Sequence, residues 1–293
     1  MQPEIIHAAN AALGEGPAWD AKTNTLYWID ILEKRIHFHR DGKNEFIQLD
    51  DMPGCLAPCK DGGLILTSRA SIFKLKPFDR TQGKPAAAKQ TLLASITEPV
   101  SNRFNDGKCD PSGRLLAGTM DMHEKAASGA LYSFDGKRIT QLLDGIRISN
   151  GLAWSRDYKT LYYIDTPTRE IKAFDYELAS GSIANMRVAF TVPETLGWPD
   201  GMTSDSQGNL WIAMWGGAQV TRWNPHTGAL IEQIPLPAKN VTCPVFGGAN
   251  LDELYVTSAR AGLEHADLTA YRQNGSLFRL RTNVSGMPTF EFG

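Results

Sequence analysis

Only four cysteines occur in 293 residues, and none belongs to a CxxC pair. Cys55, Cys59, Cys109 and Cys243 therefore suggest neither a zinc–thiolate site nor a disulfide framework. They read as buried or semi-buried free thiols in a reducing compartment. No run of five or six like charges appears, and the net charge is −2. That balance lacks the single-signed field of a nucleic-acid binder, so no such partner is expected. Nowhere do eighteen apolar residues run together, and Met1 to Leu13 holds no basic stretch followed by a long apolar one. The sequence thus reads as neither secreted nor associated with a membrane, and a cytoplasmic location is expected. No amphipathic helix longer than three turns is visible; the most helix-like stretch, Asp121 to Ser128, reads as a loop or short turn between strands. His7, His37, His39, His226 and His265 lack HxxEH-type spacing, and Ser101 and Ser149 lack a nucleophile-elbow context. A zincin and a serine hydrolase are both disfavoured.

What is present is repetition. A strand core recurs six times, starting at Leu26 (LYWID), Leu64 (LILTS), Leu115 (LLAGT), Leu161 (LYYID), Leu210 (LWIAM) and Leu254 (LYVTS), at intervals of 38, 51, 46, 49 and 44 residues. Each core follows a polar turn such as Asp110-Pro111-Ser112-Gly113 or Asp205-Ser206-Gln207-Gly208. These residue types tolerate positive φ or pre-set turn geometry, and they punctuate hairpins. A further alternating stretch usually comes next, as in Ile171-Lys172-Ala173-Phe174-Asp175-Tyr176, with the period of two of a half-buried strand. Units of roughly 40 to 50 residues with three or four short strands each are the mark of propeller blades. The expectation is an all-β, six-bladed β-propeller filling residues 1–293 as a single domain. A β-sandwich would also supply short strands, but would not explain six recurrences of one core and turn.

The segments ahead of the cores share a second pattern. Glu15, Asn150 and Asp200 each stand ten or eleven residues before a core, and glycine follows Glu15, Asp106, Asn150 and Asp200 directly. In a propeller the innermost strand of every blade begins at the same mouth of the central channel, so residues in one phase meet there. Two carboxylates and an amide converging at that mouth form an oxygen donor set for a divalent cation. Such a set favours Ca²⁺, Mg²⁺ or Mn²⁺, whereas zinc usually brings His or Cys. Asn or Asp before Gly also forms ordinary turns, but the shared phase argues for more than that. Trp198, beside Pro199 and Asp200, is expected to wall the pocket.

The segments LGEGPAWD (13–20), SNRFNDGKCDPSGRLLAGTM (101–120), SNGLAWS (149–155), PDGMTSDSQGNLWIA (199–213) and FGGANLDELYVTSAR (246–260) resemble the regucalcin and gluconolactonase family of six-bladed propellers. The resemblance implies a divalent-metal-dependent hydrolase of sugar-acid lactones. By motif match, Glu15, Asn150 and Asp200 bind the metal, Asn105 lies close to the ion and substrate, and Arg103, Asn105 and Asp106 belong to the substrate-binding segment. Asp200 is assigned in addition as general base. The resemblance also admits zinc; Ca²⁺ is the first expectation, with Zn²⁺, Mn²⁺ or Mg²⁺ as the others. One departure stands after GTM, where the family commonly offers an acidic residue toward the sugar. By register His123 occupies that place and is taken as a substrate contact. The expected partner is a small-molecule sugar lactone, neutral or anionic, and the chain is expected as a monomer or homodimer. A non-catalytic calcium-binding regulator and a metal-dependent esterase or organophosphatase on the same scaffold are the other function classes.

Overall fold

Six times the chain folds a repeat into a four-stranded antiparallel sheet, and the six sheets close a ring. The computed structural model describes residues 1–76 and 90–293. The first sheet holds β2 (Gly14–Asp20), β3 (Thr25–Asp30), β4 (Arg35–Arg40) and β5 (Lys43–Gln48), and the second β6 (Pro53–Pro58), β7 (Leu64–Ser68), β8 (Ser71–Leu75) and β9 (Gln90–Ser95). The third holds β10 (Asn102–Cys109), β11 (Leu115–Asp121), β12 (Gly129–Phe134) and β13 (Ile139–Ile146), and the fourth β14 (Ser149–Trp154), β15 (Thr160–Asp165), β16 (Glu170–Glu177) and β17 (Ser182–Thr191). In the fifth are β18 (Trp198–Ser204), β19 (Leu210–Trp215), β20 (Gln219–Asn224) and β21 (Ala229–Pro235). The sixth combines β22 (Asn240–Gly247), β23 (Glu253–Ala259) and β24 (Leu277–Arg281) with β1 (Glu4–His7) from the other end of the chain. The only α-helix among the described residues is the short α1 (His265–Ala270). This is the six-bladed propeller expected from the repeat.

Local chemistry explains why each repeat folds alike. In the turn before β11, Asp110 Oδ1 accepts the N–H groups of Ser112 and Arg114, at 2.9 and 2.8 Å, and Gly113 takes φ +93°. The turn before β19 repeats this, with Asp205 Oδ1 accepting from Gln207 and Asn209 at 2.9 Å and Gly208 at φ +85°. Both aspartates are fully buried and are held by arginines, Arg114 and Arg222, each at 2.7 Å. The cores that follow are buried on both faces, because each blade packs between two others. The apolar clusters accordingly span neighbouring blades: Ile29, Ile36, Leu56 and Leu66 share one, and Ile164, Ile171, Met202 and Ile212 another.

Two features were not read from the sequence. Pairing of β1 with β24 closes the ring using both chain ends, with Glu4 opposite Arg279 and ion-paired to it at 2.8 Å. The C-terminal segment crosses the end of the ring remote from Glu15, bonding Phe292 N to Pro58 O at 2.8 Å and Met287 N to Ser204 O at 3.0 Å.

His37 on β4 supplies a stability prediction. Its ring stacks on Trp28 with centroids 3.9 Å apart, and among the described residues neither ring nitrogen has a hydrogen-bond partner. Burial, followed by the charges of His7 and Arg35, pushes its pKa down to about 3 from 6.5. The unfolded chain therefore binds a proton below pH 6.5 that the folded chain refuses. Stability present above pH 6.5 falls as pH drops toward 3, by up to about 1.4 kcal/mol per pH unit. His37→Phe keeps the stack and removes the titration. Urea unfolding followed from pH 7 to pH 5 should show a flatter decline for this variant, and parallel curves would refute the assignment.

Candidate active site at one mouth of the channel

The inner strands β2, β6, β10, β14, β18 and β22 line the channel, each beside the next, with β22 returning to β2. All six break register with their neighbour at the same level, between Glu15 and Ala18, Pro53 and Leu56, Phe104 and Gly107, Asn150 and Leu152, Pro199 and Met202, and Val241 and Pro244. At every break the inner strand carries one more residue than its partner, which is a β-bulge. A bulge bends the strand and re-aims its side chains. Here six bulges stacked at one level turn side chains out of the sheet plane and into the mouth.

Glycine makes that level possible. A Cβ on Gly151 would lie 2.7 Å from Met202 Cβ and 2.8 Å from Asp200 O, and one on Gly201 would lie 2.5 Å from Cys243 Cβ. Neither glycine has a positive φ. They are needed because neighbouring inner strands come too close for any side chain, a packing demand distinct from turn geometry.

The mouth encloses a cavity of about 390 Å³. Glu15, Arg103, Asn105, Asn150 and Asp200 all reach it, although each is only 5–8% exposed. Asn150 is oriented by a relay: its Nδ2 donates to Thr166 Oγ1 at 2.7 Å, and that hydroxyl donates to Pro199 O at 2.8 Å. Its Oδ1 is thereby turned toward Asn105, whose Nδ2 reaches it at 2.9 Å. Arg103 Nη1 holds Asn105 Oδ1 at 2.7 Å and Phe104 O at 2.9 Å. Glu15 accepts the N–H of Gly16 on Oε2 at 2.9 Å.

The electrostatics are those of crowded acids. Burial, then the Asp106 charge, pushes Glu15 up to about 8. Asp200 is raised well above the carboxylate range by burial, then by Glu15, Asp106 and Glu124. Arg103 is brought down to about 10 by burial, opposed by Glu15 and Glu124, so it stays charged at neutral pH. A divalent cation fits this set: every donor is oxygen, two carboxylates match its charge, and bound there it would relieve their repulsion. Among the described residues no three of His, Cys, Asp and Glu converge. A third side-chain donor to an ion here would be an amide, and Asn150 lines the same cavity.

Two sequence-assigned residues lie elsewhere. Asp106 does not line this cavity; with Lys108 it faces a smaller one, about 50 Å³, further along the inner strands and bounded by Pro288 to Phe290 of the C-terminal segment. The β10 bulge is the reason, because it sends Asn105 to the mouth and the next residue down the channel. Asp106 Oδ2 is buried there with no hydrogen-bond partner among the described residues. His123 is exposed and absent from the lining, whereas Glu124 is part of it. Glu124 takes φ +59° in a turn closed by its N–H to Asp121 O at 2.9 Å, which shifts the facing residue by one. Sequence reasoning also passed over Arg147, Thr166 and Trp215 on the lining. Trp198 lines the cavity as expected, with the Arg169 guanidinium 3.6 Å over its ring.

Fold and mouth together define a six-bladed propeller with a buried, oxygen-rich cavity at one end of its channel. Residues 13–260 match the family described as SMP-30/Gluconolactonase/LRE-like region, and the chain belongs to that family. It is 36% identical to the putative sugar lactone lactonase YvrE of Bacillus subtilis over 96% of this chain and 95% of that protein. To regucalcin of Danio rerio it is 32% identical, covering 100% of this chain and 98% of the relative. The solved structure of a calcium-binding regucalcin from Agrobacterium tumefaciens superposes with a TM-score of 0.92 at 29% identity, covering 100% of this chain and 97% of that one. Family and relatives support an activity of the sugar-lactonase type.

Proposed function

We propose that this protein hydrolyses a sugar-acid lactone to its aldonic acid with the help of one divalent cation, Ca²⁺ in the first instance. The observation that supports this most is the convergence of Glu15, Asn150, Asp200, Arg103 and Asn105 on one cavity. Glu15, Asp200 and Asn150 Oδ1 would hold the ion; the chemistry it supplies when bound is Lewis-acid polarisation of the ester carbonyl and acidification of water. Asp200 takes the proton of the attacking water as the new acyl C–O bond forms. The same proton goes to the ring oxygen as the old acyl C–O bond breaks, leaving a hydroxy acid. Arg103 donates to the oxygen on which negative charge develops, and the water-poor setting strengthens that contact. Trp198 and Trp215 offer apolar faces to the sugar ring. The free, buried thiols of Cys55, Cys59, Cys109 and Cys243 support a cytoplasmic setting.

A pH-stat assay on purified protein with a panel of aldonolactones tests the reading. Acid release is expected to stop with chelator and to return with Ca²⁺, Zn²⁺, Mn²⁺ or Mg²⁺. Cation binding with no lactone turned over would make it a calcium-binding regulator instead, and faster cleavage of aryl esters or organophosphates would move it to the third class.

A further inference from the structure

Resting on the lactonase reading, we infer that the natural substrate carries a negative charge at the end remote from its carbonyl, and that Arg147 selects it. Arg147 lines the cavity with the cation-binding triad, three residues upstream of Asn150. Extended backbone rises about 3.3 Å per residue, so up to about 10 Å separates the two positions. A six-carbon lactone bearing an anionic group on its terminal carbon can bridge two positions so spaced on one wall.

The residue is built to meet a ligand. Its backbone is pinned by Asp165, which accepts the Arg147 N–H at 3.3 Å and the Ile148 N–H at 2.9 Å. Thr166 N in turn donates to Ile148 O at 3.1 Å. The side chain is steered by one bond, Nε to Glu124 O at 3.1 Å. Arg147 is exposed, and among the described residues no further hydrogen bond and no carboxylate holds this guanidinium, so both terminal amino groups are open to a ligand entering the cavity. Two parallel N–H donors in a fixed fork match two oxygens of a phosphate, sulfonate or carboxylate.

Charge balance points the same way. Glu15 and Asp200 together offset a divalent ion. Arg103 and Glu124 offset each other and interact within the site. Arg147 leaves one positive charge over on the wall of the cavity. A neutral sugar gains nothing from that surplus, whereas an anionic one is held by it and oriented, with its carbonyl toward the triad.

The test compares 6-phospho-D-glucono-1,5-lactone, the carboxylate-bearing D-glucaro-1,4-lactone and neutral D-glucono-1,5-lactone, with the metal-loaded enzyme and Arg147→Gln and Arg147→Lys variants. Wild-type enzyme is expected to have the higher kcat/KM for an anionic lactone. Arg147→Gln should lower the anionic-to-neutral ratio at least tenfold, chiefly through KM, and Arg147→Lys should restore part of it. Raising the salt should raise KM for the anionic lactones more than for the neutral one. Whichever anion shows the larger ratio identifies the terminal group. Lactone hydrolysis with a ratio indifferent to Arg147 overturns the inference and leaves the lactonase reading intact. If none of the lactones is hydrolysed with any divalent ion, both fall together.

Discussion

Asp200→Ala is expected to lose cation binding and lactone turnover together, with kcat/KM falling about a thousandfold or more. Asp200 lies at the bulge of β18, is 5% exposed, and is pushed up by burial and by the charges of Glu15, Asp106 and Glu124. A cation is the partner that keeps such a group ionised, and removing the group takes away half of the negative charge available to hold the ion. The substitution should not unfold the protein. Taking one acid from a crowd of like charges relieves repulsion, so the metal-free variant should be at least as stable as metal-free wild type. Thermal unfolding with and without Ca²⁺ separates the two effects, since a bound ion raises the midpoint of wild type but not of the variant. Calcium-dependent stabilisation retained by Asp200→Ala, or turnover near the wild-type rate, would remove Asp200 from the role.

Gly201→Ala is expected to cost about 3 kcal/mol of stability, near the top of the usual range for overpacking. The added methyl would sit 2.5 Å from Cys243 Cβ and 2.7 Å from Cys243 Cα. Part of that obstruction is backbone, so no rotamer change relieves it, and the blades holding β18 and β22 must move apart. Gly42→Ala is the control. Gly42 has φ +72° and nothing within 4 Å of where a methyl would stand, so it bears only the conformational cost, about 1 kcal/mol. Denaturant midpoints should rank wild type above Gly42→Ala and Gly42→Ala well above Gly201→Ala. Equal losses in the two variants would show that close approach of the inner strands is not what Gly201 serves. Movement of β18 also displaces Asp200, so the Gly201 variant should bind cation more weakly as well.

Much of this organisation can be read in the chain because it is repeated. Strand β16 covers Ile171 to Tyr176, where the alternating pattern put it, with Ile171 and Ala173 buried and Asp175 exposed. The outer strands are harder to see: β17 and β21 carry mostly exposed residues, so little in their composition marks them as strand. Strand β1 belongs to no repeat until it meets β24, and pairing between opposite ends of the chain leaves no local signal. Within the site, phase alone brought Glu15, Asn150 and Asp200 together. It could not divide Asn105 from Asp106, or Glu124 from His123, because a bulge in one case and a positive-φ turn in the other decide which of two adjacent side chains faces the cavity. Arg147 lies outside the repeated phase altogether, and its importance comes from its unused donors, which only geometry reveals.

Because the sixth sheet takes β1 from the start of the chain and β24 from near its end, no portion emerging from a ribosome can complete the circle until Arg281 is free. Glu15 comes from the first sheet and Asp200 from the fifth, and until the circle closes nothing fixes the distance between them. A nascent or truncated chain can thus hold well-formed individual sheets and still have no place for an ion. The mouth is completed in a single late step, and the two acids whose proximity is costly are forced together only once the rest of the molecule is present to hold them.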